Sequence, residues 1–342
     1  MRRSCRRLEI NKKKILVTGG AGFIGSHLVE GLLKLGARVT VLDNFDDFYP
    51  GKETNIEGSL GSERFHLVRG SILDLDLLAS LVKGSDAVVH LAAQAGIRYC
   101  SEKPLKANEV NATGTLNVIV ACRSQGVNKI VYASSSSVFG DPVRVPIDES
   151  HPTNPNNPYG ASKLAGEKYC MSFAKAFEMD ISCLRYFSVY GPRGRPDQVL
   201  YSFAEKVSGG ESPVIYGDGS YSRDFTFVSD VVSATILSLY SDSVGGRVLN
   251  IGYGKDCKII DIAKRIASHY GDRVEPRFEK PYNGDFSRTL CDNELAKRTL
   301  GWRPQVGFED GLQQFLHWFD ERRSASPVPD GVRPVTVESS RL

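Results

Sequence analysis

Thr18-Gly19-Gly20-Ala21-Gly22-Phe23-Ile24-Gly25 is the stretch on which the reading of this chain turns. Before it, residues 14–18 form a short apolar β-run. After it, residues 26–35 carry a helical pattern. A glycine-rich turn between strand and helix lets backbone come close to a pyrophosphate, and the helix N-terminus adds free N–H groups and a favourable dipole. Glycines at this spacing also make ordinary tight turns. What separates the two readings is Asp43, which follows the next β-run at 38–42 and stands where a ribose-hydroxyl acceptor belongs. A carboxylate there repels a 2′-phosphate, so the turn points to NAD rather than NADP.

Working outward, apolar β-runs recur at 65–68, 87–91, 129–133 and 181–186, with helical patterns between several of them, notably 110–124 and 159–178. Strands alternating with helices predict an α/β fold, a Rossmann-like doubly wound parallel sheet covered on both faces. After Tyr190 the pattern breaks into Gly, Pro and aromatic loops with short helices, which predicts a smaller α/β substrate-binding lobe. Residues 228–239 and 248–251 read as a helix and a strand returning to the first lobe. The expected division is a flexible basic tail at 1–13, an NAD-binding domain at 14–187 rejoined by 225–253, a second lobe from 188–224 and 254–322, and a disordered tail at 323–342.

Composition narrows the class. A formal net charge of +3, much of it in the first fourteen residues, does not suggest nucleic-acid binding. That basic cluster has no apolar run behind it and is not a secretory signal. No stretch approaches the roughly 18 apolar residues that span a bilayer. The seven cysteines lack a C-x-x-C pair and the six histidines lack metal-ligand spacing, so a cytoplasmic protein with reduced thiols and no metal is expected.

Tyr159-Gly160-Ala161-Ser162-Lys163 opens a helical pattern after Pro158. Tyr and Lys four apart share a helix face. A free tyrosine has a pKa of about 10, so only about 0.1% is phenolate at neutral pH. A nearby ammonium and a positive nicotinamide ring favour the phenolate, so the pair can supply a base for a sugar hydroxyl. With the glycine turn, His90-Leu91-Ala92-Ala93, Asn111-Ala112-Thr113-Gly114-Thr115 and Ser134-Ser135-Ser136-Ser137-Val138-Phe139-Gly140, the chain resembles the extended short-chain dehydrogenase/reductases of the nucleotide-sugar epimerase and dehydratase group, over about residues 14–320. The resemblance implies catalytic roles for Ser135, Tyr159 and Lys163. It implies cofactor contacts from Gly19, Gly22, Phe23, Ile24, Gly25, Asp43, Ser71, Ile72, Leu91, Ala92, Ala93 and Asn111, besides Tyr159 and Lys163. It also implies a homodimer paired through the helices at 110–124 and 159–178.

The residues after Ser135 sort the chemistries of this group. Its dehydratases carry an acidic pair where this chain has Ser136 and Ser137. Its UDP-glucuronate decarboxylases carry Glu where Ser137 stands, so epimerisation is left. Residues 92–99 and 185–197 are similar to the uronate 4-epimerases. That likeness implies that Ser188 and Arg195 hold the sugar carboxylate, a role suited to the planar guanidinium fork. Residues 216–226 resemble the group's nucleotide-binding loop, with Arg223 at the diphosphate, Asp285 at the UDP ribose and Arg288 a second diphosphate candidate. Gln94, Arg98, Ser135 and Ser136 complete the expected substrate set. The expected reaction is 4-epimerisation of UDP-glucuronate through a 4-keto intermediate. The alternatives are a neutral UDP-sugar epimerase, a dehydratase or decarboxylase, and a non-catalytic NAD-binding regulator. Departures from the group are Ser71 in place of an acid, Ser188 in place of Thr, Phe139 in place of Tyr, and Arg193 where aromatic or polar residues are common.

Overall fold

Alternation along single strands builds two cores at once. In the computed structural model, which describes residues 11–325 except 273, 282 and 283, Ile15 and Val17 point into one apolar cluster and Leu16 into another on the opposite face. The strands are β1 (Lys14–Thr18), β2 (Arg38–Asp43), β3 (Phe65–Arg69), β4 (Ala87–His90), β5 (Ile130–Ser135), β6 (Ile181–Tyr186), β7 (Ser188–Tyr190), β8 (Val214–Tyr216), β9 (Ser222–Phe227), β10 (Arg247–Ile251), β11 (Asp256–Lys258) and β12 (Arg277–Glu279). β4, β5 and β6 are buried along their whole length, as strands covered on both faces must be.

These strands form a seven-stranded sheet in the order β3-β2-β1-β4-β5-β6-β10, with every pair parallel. One face is covered by the helices Phe23–Lys34 and Val228–Tyr240, which pack on each other. The other carries Leu75–Val82, Thr115–Ser124 and Pro158–Phe177. The strand order reverses between β1 and β4. The crevice at the carboxyl ends of those strands is where open α/β sheets bind ligands.

The remaining strands make a three-stranded sheet, β11-β9-β7, and a β8–β12 pair. β9 therefore lies with β7 and β11. Of the expected returning segment at 225–253, only the helix Val228–Tyr240 and β10 rejoin the large sheet, because β10 alone finds an open edge, at β6. The helix expected at 110–124 is interrupted: Glu109–Gly114 is a π-turn that leads into Thr115–Ser124.

The expected tails lie mostly outside the described residues. Where they are described, both are ordered. Lys12 N–H donates to the Gly36 carbonyl and Lys13 pairs with Asp86 at 3.3 Å, while residues 323–325 complete the helix Phe308–Ala325. No helix among the described residues is long and apolar enough to cross a membrane.

Candidate active site

The glycine turn is shaped by close backbone approach. Gly19 has φ of +73°, and a Cβ on it would lie 2.6 Å from Ala92 N, at the end of β4. A Cβ on Gly25 would fall 2.1 Å from the Gly19 carbonyl, so the helix Phe23–Lys34 starts in direct contact with the turn. Asp43 ties the turn to β2: its carboxylate accepts from Ala21 N–H at 3.0 Å and Phe45 N–H at 2.9 Å. Burial pushes this carboxyl above its usual range, against the pull of those N–H groups and of Lys52. A side-chain-free turn, an open helix N-terminus and an acid at the second strand fit a dinucleotide. All the expected cofactor residues except Asn111 line one cavity of about 310 Å³.

Asn111 does not line that cavity. It is fully buried behind the cleft wall. Its amide oxygen accepts from Gln94 N–H at 2.7 Å, and its amide nitrogen donates to the Gln94 carbonyl and to Ser162 Oγ, both at 2.9 Å. Both amide hydrogens are spent, so Asn111 supports the Gln94 segment and has none left for a nicotinamide. His90 is likewise a core residue, held between Thr18 and Thr115 and kept neutral by burial.

Ser135 ends β5, and Tyr159 and Lys163 rise from the first turns of Pro158–Phe177. That helix starts where it does because the Asn157 side chain caps Gly160 N–H at 2.8 Å and Pro158 needs no partner there. A Cβ on Gly160 would sit 2.3 Å from the Ser137 carbonyl, so the helix start lies hard against the end of β5. This contact brings Tyr159 to Ser135, whose Oγ also accepts from Ser137 N–H at 3.1 Å. Burial raises the Tyr159 phenol, while the Arg195 guanidinium and the Ser135 hydroxyl pull it back down. Arg195, which lines both cavities together with Tyr159, is the cation whose charge favours the phenolate. The Lys163 ammonium lies 4.3 Å from the Tyr132 ring centre, and burial lowers its pKa to about 8. Behind this trio Glu167 accepts from Ser134 Oγ at 2.7 Å and takes Arg185 in a two-point grip at 2.9 and 2.7 Å.

A second cavity, of about 1010 Å³, adjoins the first at Tyr159, Ser188 and Arg195. It holds Arg98, Arg223 and Asp285, while Gln94, Ser135 and Ser136 line the first cavity. Three guanidiniums lining it already hold carboxylates, one of them Arg277 on Glu279 at 3.1 Å. Arg195 donates through Nε and Nη2 to Asp197 at 2.8 and 2.9 Å, and Arg223 Nη2 donates to Asp285 at 2.6 Å. The separate roles expected for Arg223 and Asp285 therefore fall on one bonded unit. Arg288 does not line the cavity; it pairs with Asp256 at 2.7 Å. The Arg98 guanidinium stacks 4.0 Å from the centre of the Tyr216 ring.

Sequence reasoning missed Asp197 and the loop at 44–51. Phe48 lines both cavities, and the Tyr49 hydroxyl accepts from Phe23 N–H at 3.0 Å, at the helix N-terminus. Three aromatics, Phe45, Phe48 and Tyr49, beside two aspartates in one short loop were the available signal.

The family profile described as "NAD dependent epimerase/dehydratase family" matches residues 15–252. The chain belongs to that family. A UDP-glucose 4-epimerase of Mycolicibacterium smegmatis is 37% identical over 90% of this chain and 98% of its own. A UDP-glucuronate 4-epimerase of Thermodesulfobacterium geofontis is 35% identical over 90% of this chain and 96% of its own. The crystal structure of the UDP-glucuronic acid 4-epimerase of Bacillus cereus, in complex with UDP-glucuronic acid and NAD, superposes with a TM-score of 0.87 at 34% identity, covering 90% of this chain and 99% of that one. The chain is an NAD-dependent nucleotide-sugar 4-epimerase by family, fold and neighbours.

Proposed function

We propose that this enzyme interconverts UDP-glucuronate and UDP-galacturonate. The observation that carries the reading is the position of Arg195, where the two cavities meet, beside Ser188 and within electrostatic reach of Tyr159. A hydroxyl and a guanidinium next to the base suit a sugar whose C6 carboxylate adjoins its reacting C4. The cofactor lobe is residues 14–187 with 228–251, and the remaining described residues supply the UDP-sugar lobe. A homodimer through Thr115–Ser124 and Pro158–Phe177 is supported by the exposed Val120, Tyr169 and Phe177 on those helices.

The glycine turn, Asp43 and the cleft residues at the ends of β3 and β4 would hold NAD⁺, which would supply the reversible hydride acceptor that oxidation at C4 requires. Tyr159 takes the proton from the 4-hydroxyl, with the Ser135 hydroxyl between them as relay. Arg195 stabilises the phenolate by its charge, and Lys163 adds a second cation to the cleft. A 4-keto uronate is a β-keto acid and loses CO₂ when its carboxylate turns out of the carbonyl plane. A grip by Arg195 and Ser188 opposes that turn.

A second reading, a neutral UDP-sugar as substrate, is favoured by the Asp197 carboxylate on the Nε/Nη2 edge of Arg195, which offsets the charge an acidic sugar needs. The test is an NMR assay of the purified enzyme, without added NAD, on UDP-glucuronate, UDP-glucose and UDP-N-acetylglucosamine. Conversion of the first to UDP-galacturonate is expected, with Arg195→Ala costing that reaction at least about 30-fold, roughly 2 kcal/mol of charge-assisted contact. Faster turnover of a neutral sugar that survives Arg195→Ala selects the second reading. A pentose with CO₂ selects a decarboxylase.

A further inference from the structure

The loop that carries Arg195 is tied to the helix that carries the cofactor site. Arg193 Nη2 bonds Glu30 Oε1 at 2.5 Å, and the His27 ring Nε2 lies 2.9 Å from the Pro192 carbonyl, which requires that nitrogen to carry the hydrogen and donate. His27 and Glu30 sit one turn apart on Phe23–Lys34, whose first turn makes the dinucleotide site. Arg193 adopts a left-handed φ of 65°, a backbone region that disfavours a side-chain-bearing residue. A strained residue persists where its surroundings over-determine it, and such residues gather at functional sites. Two residues on, Arg195 is held by Asp197 through its fork and by the Gln198 side chain at its backbone N–H, 2.9 Å away.

We propose that Arg193, through its bond to Glu30 and the neighbouring His27–Pro192 bond, is a positioning residue that fixes the Arg195 guanidinium against the Tyr159 phenol. The latch makes the cofactor-bearing helix the reference for the substrate-side cation. A glycine at 193 would relieve the left-handed backbone, so the fold alone gives no reason for arginine there. The inference rests on Tyr159 as the base but not on which UDP-sugar is the substrate.

The titratable and charged groups that act on Tyr159 are Arg195, Asp197, Cys100 and Tyr132 from other elements, with the Ser135 hydroxyl at the phenol and Lys163 on its own helix. Arg193 lines neither cavity, so its effect on the phenol is exerted through Arg195. Arg195 favours the phenolate. Letting it drift away raises the phenol, so the acid limb of the kcat/KM profile must move to higher pH.

The test compares wild type, Arg193→Gly, Glu30→Gln and the double variant, on whichever UDP-sugar turns over fastest. Melting temperature and the full pH profile are read for each. Expected is a melting temperature for Arg193→Gly at or above wild type, together with an acid limb at higher pH and a KM about 5-fold higher. Glu30→Gln should give the same kinetic shift, and the double variant should be no worse than either single one. An unchanged acid limb in Arg193→Gly overturns the proposal. So does a parallel loss of melting temperature and kcat with the limb in place, because that is what a merely structural contact produces. A substrate panel that favours a neutral sugar leaves this outcome untouched, so the two readings fail separately.

Discussion

Replacing Glu167 by Gln should lower stability by about 3–5 kcal/mol, the cost of breaking a buried ion pair from one side. The magnitude follows from the site. The Glu167 and Arg185 side chains are 1% and 4% exposed, so neither charge can turn to water. Three donors converge on the carboxylate: Ser134 Oγ, Arg185 Nε and Arg185 Nη2. Glutamine keeps one acceptor oxygen, points an NH₂ at an N–H donor, and takes away the anion bonded to the buried guanidinium. Against a typical total of about 5–15 kcal/mol the protein still folds. At roughly 2–3 °C per kcal/mol for a chain this long, the melting temperature should fall by about 6–15 °C. Scanning calorimetry of the cofactor-saturated protein reads it. Removing both ends, with Glu167→Leu and Arg185→Met, should recover most of the loss. A shift under about 2 °C for Glu167→Gln, or a double variant whose loss is the sum of two single ones, would refute the view that this pair is a desolvated, mutually dependent unit.

Gly25→Ala should strip the cofactor while leaving the protein folded. The new Cβ, 2.1 Å from the Gly19 carbonyl, forces the helix off the turn by about 1 Å, an overpacking cost of about 1–3 kcal/mol. Retained NAD, measured by absorbance after denaturation, should drop at least about 10-fold; full retention contradicts the close-packed turn. Lys163→Met should raise the melting temperature of cofactor-stripped protein at pH 7 while abolishing activity. Burial lowers this lysine from 10.5 to about 8, so the fold favours its neutral form. The unfolded chain binds the extra proton between pH 8 and 10.5, so the penalty is fully present below pH 8 and fades as pH rises to 10.5. Its size is on the order of 3 kcal/mol, and a gain at pH 7 that persists at pH 10.5 would contradict the assignment.

The cofactor half was legible because each signal is local. Gly19 to Gly25, the strand before them and Asp43 at the end of the next strand lie in one β-α-β unit, and chain connectivity alone places the acid beside the turn. Tyr159 and Lys163 were legible for the same reason, being one helical turn apart. For Asn111 the motif position says nothing about which way the amide faces. Packing against Gln94 and Ser162 consumed its donors. What the local pattern did not show is that the second lobe brings Arg195 into the same cavity as Tyr159 and Lys163.

By itself the sequence determined the parallel sheet, the dinucleotide turn and the phenol–ammonium pair, since strand periodicity, glycine spacing and helical pitch act over a few residues. Only the tertiary structure decided how the arginines are used. Arg195 turns its fork to Asp197, Arg223 bonds Asp285, and Arg193 reaches Glu30 across 163 positions of chain. A guanidinium on a long flexible stem takes whichever carboxylate the fold delivers. For Arg193 delivery depends on how the second lobe settles against the first helix, and for Arg223 on a segment 62 positions further along the chain, which no local pattern encodes.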